Sequence, residues 1–455
     1  MLDAPLPMPG IQAFFPRPAT PRPRIRRAEG IWFEDVDGKR YLDASSGPVV
    51  SNLGHGNKRV LQAMAEQAEA CAFAFPMQWE SEANIRLSER LAELAGPGLE
   101  RAFLASGGSE AVETALKFSR QWAVVSGQEQ RWKVIGRDPG YHGGTLGALS
   151  VTGDHAMRKL YGPMMRPMPL SPTPFTYRVP PNHTPETYAR HCLDALDALI
   201  RAEGPETVLA CIVEPIGGLA TGALVPPDFY FGALREICTR HDVLLIFDEV
   251  ISGAGRTGKF LAAHHWPEAK PDLVVLAKGV TAGYTPLGAV LAPAHMADAV
   301  AGSGGFAHGF TYFANPLSCA VGAAVLDELV ERDLMGNAAR MGAVLREKLD
   351  ALAARTKLIG DIRGRGLLLA IELVAHKTSK AMIPLPLMAP YRLQALGLRH
   401  GIALYCRRTA GGAYGDWIPI APPLTITEAE VDELIARLEA TLREYEAELQ
   451  GEGVL

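Results

Sequence analysis

Residues 243–279 constrain this chain more than any other stretch. An apolar run, Val243-Leu244-Leu245-Ile246-Phe247, stops abruptly at Asp248-Glu249. A second run, Leu273-Val274-Val275-Leu276-Ala277, stops at Lys278-Gly279. Both runs are short, continuous and rich in branched residues, the pattern of strands buried on two faces. A glycine-rich segment, Ser252-Gly253-Ala254-Gly255-Arg256-Thr257-Gly258, lies between them. In open parallel α/β sheets, ligands sit in the crevice beyond the carboxyl ends of the strands. One strand therefore delivers a carboxylate to such a crevice, and another delivers an amine.

An Asp and a Lys over one crevice suit a carbonyl cofactor. The Lys forms a Schiff base, and the Asp pairs with a protonated pyridine nitrogen. Two plainer readings stand beside this one. A strand ending in Asp-Glu also suits a Mg-nucleotide site, and a single Lys at a strand end is commonly a surface residue.

The preceding part of the chain supplies further candidates. The strand at 101–105 runs through Ser106-Gly107-Gly108-Ser109 into a helix with Ala111, Val112, Ala115 and Leu116 on one face. Glycines let the backbone approach an anion closely, and the N–H groups of a first helical turn point at it. Gly107, Gly108 and Ser109 thus form a phosphate cradle without a P-loop lysine, although Ser is also an ordinary N-cap. A strand at 132–136 leads to Pro139-Gly140-Tyr141-His142-Gly143-Gly144-Thr145. There Tyr141 and His142 offer a flat ring that either stacks on an aromatic cofactor or plugs the loop. A strand at 208–213 ends in Glu214, just before Gly217-Gly218. Strands alternate with helices from 101 to 290, which predicts a mostly parallel, doubly wound sheet.

With 455 residues the chain has room for two domains. Its net charge, 45 minus 50 or −5, leaves no electrostatic footprint for nucleic acid or an anionic membrane. Six scattered cysteines without a CxxC pair suit free thiols in a reducing compartment, and no HExxH points to a metal. No segment is long and apolar enough to span a membrane. Residues 1–24 are proline-rich and read as an extended arm rather than a signal peptide, so the expected location is the cytoplasm.

The remaining elements read as follows. Apolar runs on either side of Asp37-Gly38 predict a hairpin over 31–43. Two helices over 58–95 are interrupted at 73–79, where Pro76 forces the chain out of helix. The aromatic residues there, including Phe75 and Trp79, are either core or a substrate-pocket wall. Residues 161–185 form a proline-rich irregular excursion, and 285–292 a strand. Beyond 317 come helices to 355, two strand pieces over 359–373, a helix over 389–400 and a strand over 402–405. Arg407-Arg408, a glycine-rich loop, a strand at 417–423 and a helix over 427–449 close the chain. Thr427 with Glu430 makes a capping box for that helix. The expected divisions are 1–60 as the arm and part of a small domain, 61–316 as the large domain, and 317–455 as the rest of the small domain.

In this order, from Gly30 to about Thr427, the motifs resemble the class III (ω-amino acid, amine:pyruvate) aminotransferases of the fold type I pyridoxal phosphate enzymes. The most specific part is Leu245-Ile246-Phe247-Asp248-Glu249-Val250-Ile251-Ser252-Gly253-Ala254-Gly255-Arg256-Thr257-Gly258, continuing to Ala277-Lys278-Gly279. The resemblance implies a large domain with a mostly parallel, doubly wound sheet and a smaller α+β domain built from both chain ends. It implies pyridoxal 5'-phosphate as cofactor, with Lys278 bonded to it and moving the proton. Asp248 would pair with the pyridinium nitrogen, and Val250 would pack on the ring. Gly107, Gly108 and Ser109 would bind the phosphate, and Tyr141 would stack on the ring with His142 beside it. Thr311, within His308-Gly309-Phe310-Thr311-Tyr312, resembles the threonine that reaches the phosphate of a neighbouring subunit's cofactor. A homodimer with shared active sites, or a dimer of dimers, is thereby implied.

Glu214 matches a carboxylate that pairs with a mobile arginine, the residue that admits a keto acid's carboxylate. Arg407 is the candidate and Arg408 the neighbour. The loop at 409–416 is longer than expected and leaves the register between them open. The implied reaction is ping-pong transfer of an amino group from an amine or ω-amino acid to a keto acid such as pyruvate. The same scaffold also carries aminomutases, dialkylglycine-type decarboxylases and diaminopelargonate-type transaminases.

Overall fold

A seven-stranded sheet carries the architecture. The computed structural model describes residues 22–408, 412 and 414–455. Most of the arm expected over 1–24, and four positions of the 409–416 loop, lie outside the described residues. Across the sheet the strands run Arg101–Ala105, Gly288–Ala292, Leu273–Leu276, Leu244–Asp248, Val208–Val213, Lys133–Asp138 and Leu170–Pro172. Only Gly288–Ala292 is antiparallel to its neighbours; the other pairings are parallel.

The apolar runs alternate between two buried layers. Leu245, Phe247, Val274 and Leu276 pack with Phe231 and Leu234 on one face. Ile246, Leu273 and Val275 pack with Ala111, Val112 and Ala115 on the other. Continuous hydrophobic strands follow from that double coverage. The strands that end in Ala105, Asp138, Val213, Asp248 and Leu276 all point their carboxyl ends to the same edge. Gly288 begins its antiparallel strand there, opposite Ala105.

Two smaller sheets flank this one. Ile25–Glu29, Trp32–Asp35 and Arg40–Asp43 form a meander, and Ile402–Ala403 adds to it in parallel beside Leu42 and Asp43. Ile359–Arg365, Leu368–Leu373, Asp416–Ile420 and Arg407–Arg408 form the other sheet, entirely antiparallel. The final helix, Glu428–Gly451, carries the expected capping box, with Thr427 and Glu430 bonded reciprocally.

Several elements differ from the sequence expectation: the strands expected over 285–292 and 417–423 are Gly288–Ala292 and Asp416–Ile420. The proline-rich excursion contains the short strand Leu170–Pro172, which pairs with Gly136–Asp138 at the outer edge of the large sheet. Proline is tolerated there because an edge position asks for no ladder N–H. The strand expected over 402–405 shortens to Ile402–Ala403 before the chain turns towards Arg407. Among the described residues no helix is long and apolar enough to cross a membrane.

Candidate active site

The common carboxyl edge opens on a cavity of about 470 Å³, within the usual range for small-molecule sites. Ser106, Gly107, Gly108, Ser109, Tyr141, His142, Glu214, Asp248, Val250 and Lys278 line it. Strand ends far apart in the chain are thus brought to one edge, by parallel pairing among four strands and through the antiparallel Gly288–Ala292 for the Arg101–Ala105 strand. Residues not singled out from sequence complete the wall: Val50, Ile216, Ile251, Thr281 and the segment from Gly283 to Leu287. Val50 follows Ser45-Ser46-Gly47-Pro48, whose Gly-Pro pair breaks the chain. Thr285–Leu287 was expected within the 285–292 strand, but the strand begins at Gly288 and these residues line the cavity instead.

Asp248 ends the Leu244–Asp248 strand almost fully buried. One carboxylate oxygen lies 2.7 Å from His142 Nδ1, and the other accepts the Val250 N–H at 3.0 Å. His142 is itself fixed, its N–H donating to Thr152 Oγ at 2.9 Å. Its Nε2 is buried with no partner among the described residues.

Lys278 sits two residues beyond the end of its strand with φ of 41°, in the left-handed region that few non-glycine residues adopt. The tight turn that follows, Lys278–Val280, holds it there. Burial lowers its pKa to about 8, against the opposing pull of Asp248 and Glu214, while Arg407 lowers it further. A neutral amine is therefore within reach near physiological pH.

The helix Gly108–Val125 presents its N-terminus to the cavity, and Gly107 at its cap supplies no side chain to close it. A Cβ at Gly108 would come within 3.2 Å of Val250 Cγ1. Ser109 Oγ accepts the Gly144 N–H at 3.0 Å, so its own proton stays available to a ligand. Uncapped first-turn N–H groups, a spare hydroxyl proton, a buried carboxylate and an amine together fit pyridoxal phosphate.

Glu214 departs from expectation. Its carboxylate accepts the N–H of Tyr141 at 3.1 Å and of Gly218 at 2.5 Å. Among the described residues it forms no ion pair with Arg407 or Arg408; main-chain donors already satisfy it. Burial raises its pKa. The two arginines are also distinguished. Arg408 forms a bidentate pair with buried Asp416, both contacts at 2.6 Å. Arg407 lies 5.6 Å over the Tyr405 ring, and its Nε has no partner among the described residues. Its charge bears on Tyr141 and Lys278.

Phe75, Trp79 and Thr311 are not brought to this cavity. Trp79 and Thr311 are exposed, and Phe75 meets Phe313 edge-on at 5.9 Å. Phe73 likewise meets Tyr312 at 5.9 Å. Phe73 and Phe75 thus pack on the 310–313 loop and not on the wall of this cavity.

The sequence pattern described as Aminotransferase class-III matches residues 16–442. The chain belongs to the class III aminotransferase family. A diaminobutyrate–2-oxoglutarate transaminase of Halomonas elongata is 34% identical, covering 95% of this chain and 92% of that one. An (S)-enantioselective omega-transaminase from Thermomicrobium roseum is 38% identical with a TM-score of 0.87, covering 94% and 95% of the two chains. An amine transaminase from an uncultivated Pseudomonas species, solved in its PLP-bound form, is 36% identical with a TM-score of 0.88, covering 95% and 99%. This class III aminotransferase therefore has the fold of the fold type I enzymes, and its family implies pyridoxal phosphate as cofactor.

Proposed function

We propose that this aminotransferase moves an amino group from a primary amine or ω-amino acid to a keto acid such as pyruvate, in two half-reactions at one site. The observation that carries the reading is Lys278 and Asp248 at neighbouring strand ends over one cavity, beside an uncapped helix N-terminus. When bound, pyridoxal phosphate supplies a carbonyl that bonds to amines and a ring that takes up electrons. The protein's residues do the rest.

Lys278, with its lowered basicity, would hold the cofactor through its neutral amine, the carbonyl oxygen leaving as water. Once released by a substrate amine, its amino group would be the base that holds and moves the proton of the substrate carbon. Asp248, held by His142 and the Val250 N–H, keeps a negative charge against the protonated ring nitrogen. Tyr141 and Val250, both on the cavity wall, would hold the ring between them. Gly107, Gly108 and Ser109 bind the phosphate. Arg407 receives the keto acid's carboxylate, because Arg408 is already engaged by Asp416. In a homodimer, Thr311, Phe75 and Trp79 serve the partner's site; their exposure outside this chain's own cavity supports that reading. The apolar wall of Val50, Ile216 and Ile251 suits a donor with a hydrocarbon body.

The test is the visible spectrum of the purified protein with excess alanine, β-alanine or 1-phenylethylamine, each followed by pyruvate. Loss of the Schiff-base band with an amine and its return with pyruvate is the expected result. Return only with 2-oxoglutarate reassigns the acceptor. A band that no amine or keto acid changes overturns the reading.

A further inference from the structure

The helix Gly108–Val125 faces the cavity with its N-terminus and grips a distant loop with its side. Thr114, Lys117 and Gln121 lie on one helical face. Gln121 donates to Gly305 O at 2.7 Å and accepts from Ala307 N at 2.9 Å. His308 reaches the other two: Nε2 lies 3.0 Å from Thr114 Oγ, and Nδ1 lies 3.4 Å from Lys117 Nζ. Its ring stacks on Phe103 at 5.8 Å and meets Phe310 edge-on at 4.7 Å.

The proton positions follow from the partners. The Thr114 hydroxyl donates to Glu110 O at 2.8 Å, so its oxygen accepts from His308. That places the imidazole proton on Nε2 and leaves Nδ1 to accept from the Lys117 ammonium. Only a neutral His308 satisfies both contacts. Burial and Lys117 lower its pKa, with Glu113 and Glu110 pulling the other way.

We propose that His308 is a positioning residue: held neutral between Thr114 and Lys117, it locks the 302–313 loop so that Thr311 is presented to the cofactor phosphate in a second copy of this chain. This rests on the reading of Thr311 given above. The phosphate cradle of one copy and the threonine it lends its partner then ride on a single rigid helix. A second proton on His308 would face the Lys117 ammonium. The lock is therefore complete above the ordinary histidine pKa of about 6.5 and loosens as pH falls below it.

The experiment follows pyridoxal phosphate release from the holoenzyme, read as decay of visible absorbance, between about pH 5.5 and 8. His308→Gln keeps a donor for Thr114 and an acceptor for Lys117 but cannot titrate. Its release should stay near the wild-type neutral-pH rate and lack the wild type's acceleration at low pH. His308→Ala should release about tenfold faster at neutral pH, the equivalent of one lost hydrogen bond. If His308→Ala matches wild type while Thr311→Ala releases faster, the inference fails and the reading of Thr311 stands. If Thr311→Ala matches wild type, both fail. Should His308→Ala not fold, identical pH profiles for His308→Gln and wild type overturn the inference.

Discussion

At the scale of single residues, Lys278 and the two adjacent arginines yield the sharpest tests. Capture of pyridoxal phosphate by the apo-protein needs the neutral lysine. Its rate should rise with pH and level off above about pH 8, well below the ordinary lysine value near 10.4. Stopped-flow absorbance of reconstitution measures this; a rate still climbing at about pH 10 would remove the depressed amine. On the proposed role of Lys278, Lys278→Ala should abolish the band and lower turnover by at least about a thousandfold. Arg407→Ala should slow the keto-acid half-reaction more than the amine half, in single-turnover kinetics. Arg408→Ala should instead leave Asp416 buried and unpaired, costing about 3 kcal/mol in denaturant unfolding.

Elements place what residues perform, and here glycine contacts matter. Gly288 opens the antiparallel strand opposite Ala105, and a Cβ there would run into the Gly107 carbonyl. Gly288→Ala should push the cradle aside and weaken cofactor binding about tenfold or more, with a smaller effect on melting temperature. Equilibrium titration of the apo-protein with pyridoxal phosphate checks this. The sequence made this level only partly readable. Abrupt endings such as Phe247-Asp248 and Ala277-Lys278 announce buried strands that deliver polar groups, and parallel strands must deliver them to one edge. The Gly107–Ser109 turn and the Thr427 capping box are local chemistry and could be read directly. The fate of Phe75 and Trp79 could not, because an aromatic run looks the same whether it lines a pocket or faces outward. Nor could the satisfaction of Glu214 by backbone N–H groups, which depends on where two loops meet in space.

For the molecule as a whole, Arg256 is the joint between distant segments. It is completely buried, with burial pulling its pKa down to about 9. It donates to Asn52 Oδ1 at 2.6 Å, Ser46 Oγ at 3.3 Å, Leu367 O at 3.3 Å and the Pro422 carbonyl. Those partners come from the N-terminal loop and from two strand-flanking turns near the other end. Arg256→Ala would strand four acceptors at once and should lower global stability by about 3–5 kcal/mol, seen as an earlier urea midpoint.

The meander near the N-terminus is completed only by Ile402–Ala403, laid in parallel beside Leu42 and Asp43. A ribosome working at about 5–20 residues per second reaches that segment roughly 20–70 seconds after making its partner. Throughout that interval the nascent chain carries an open β-edge, the kind of template on which neighbouring chains pair wrongly. The late return of Ile402–Ala403 is thus the step that closes this edge.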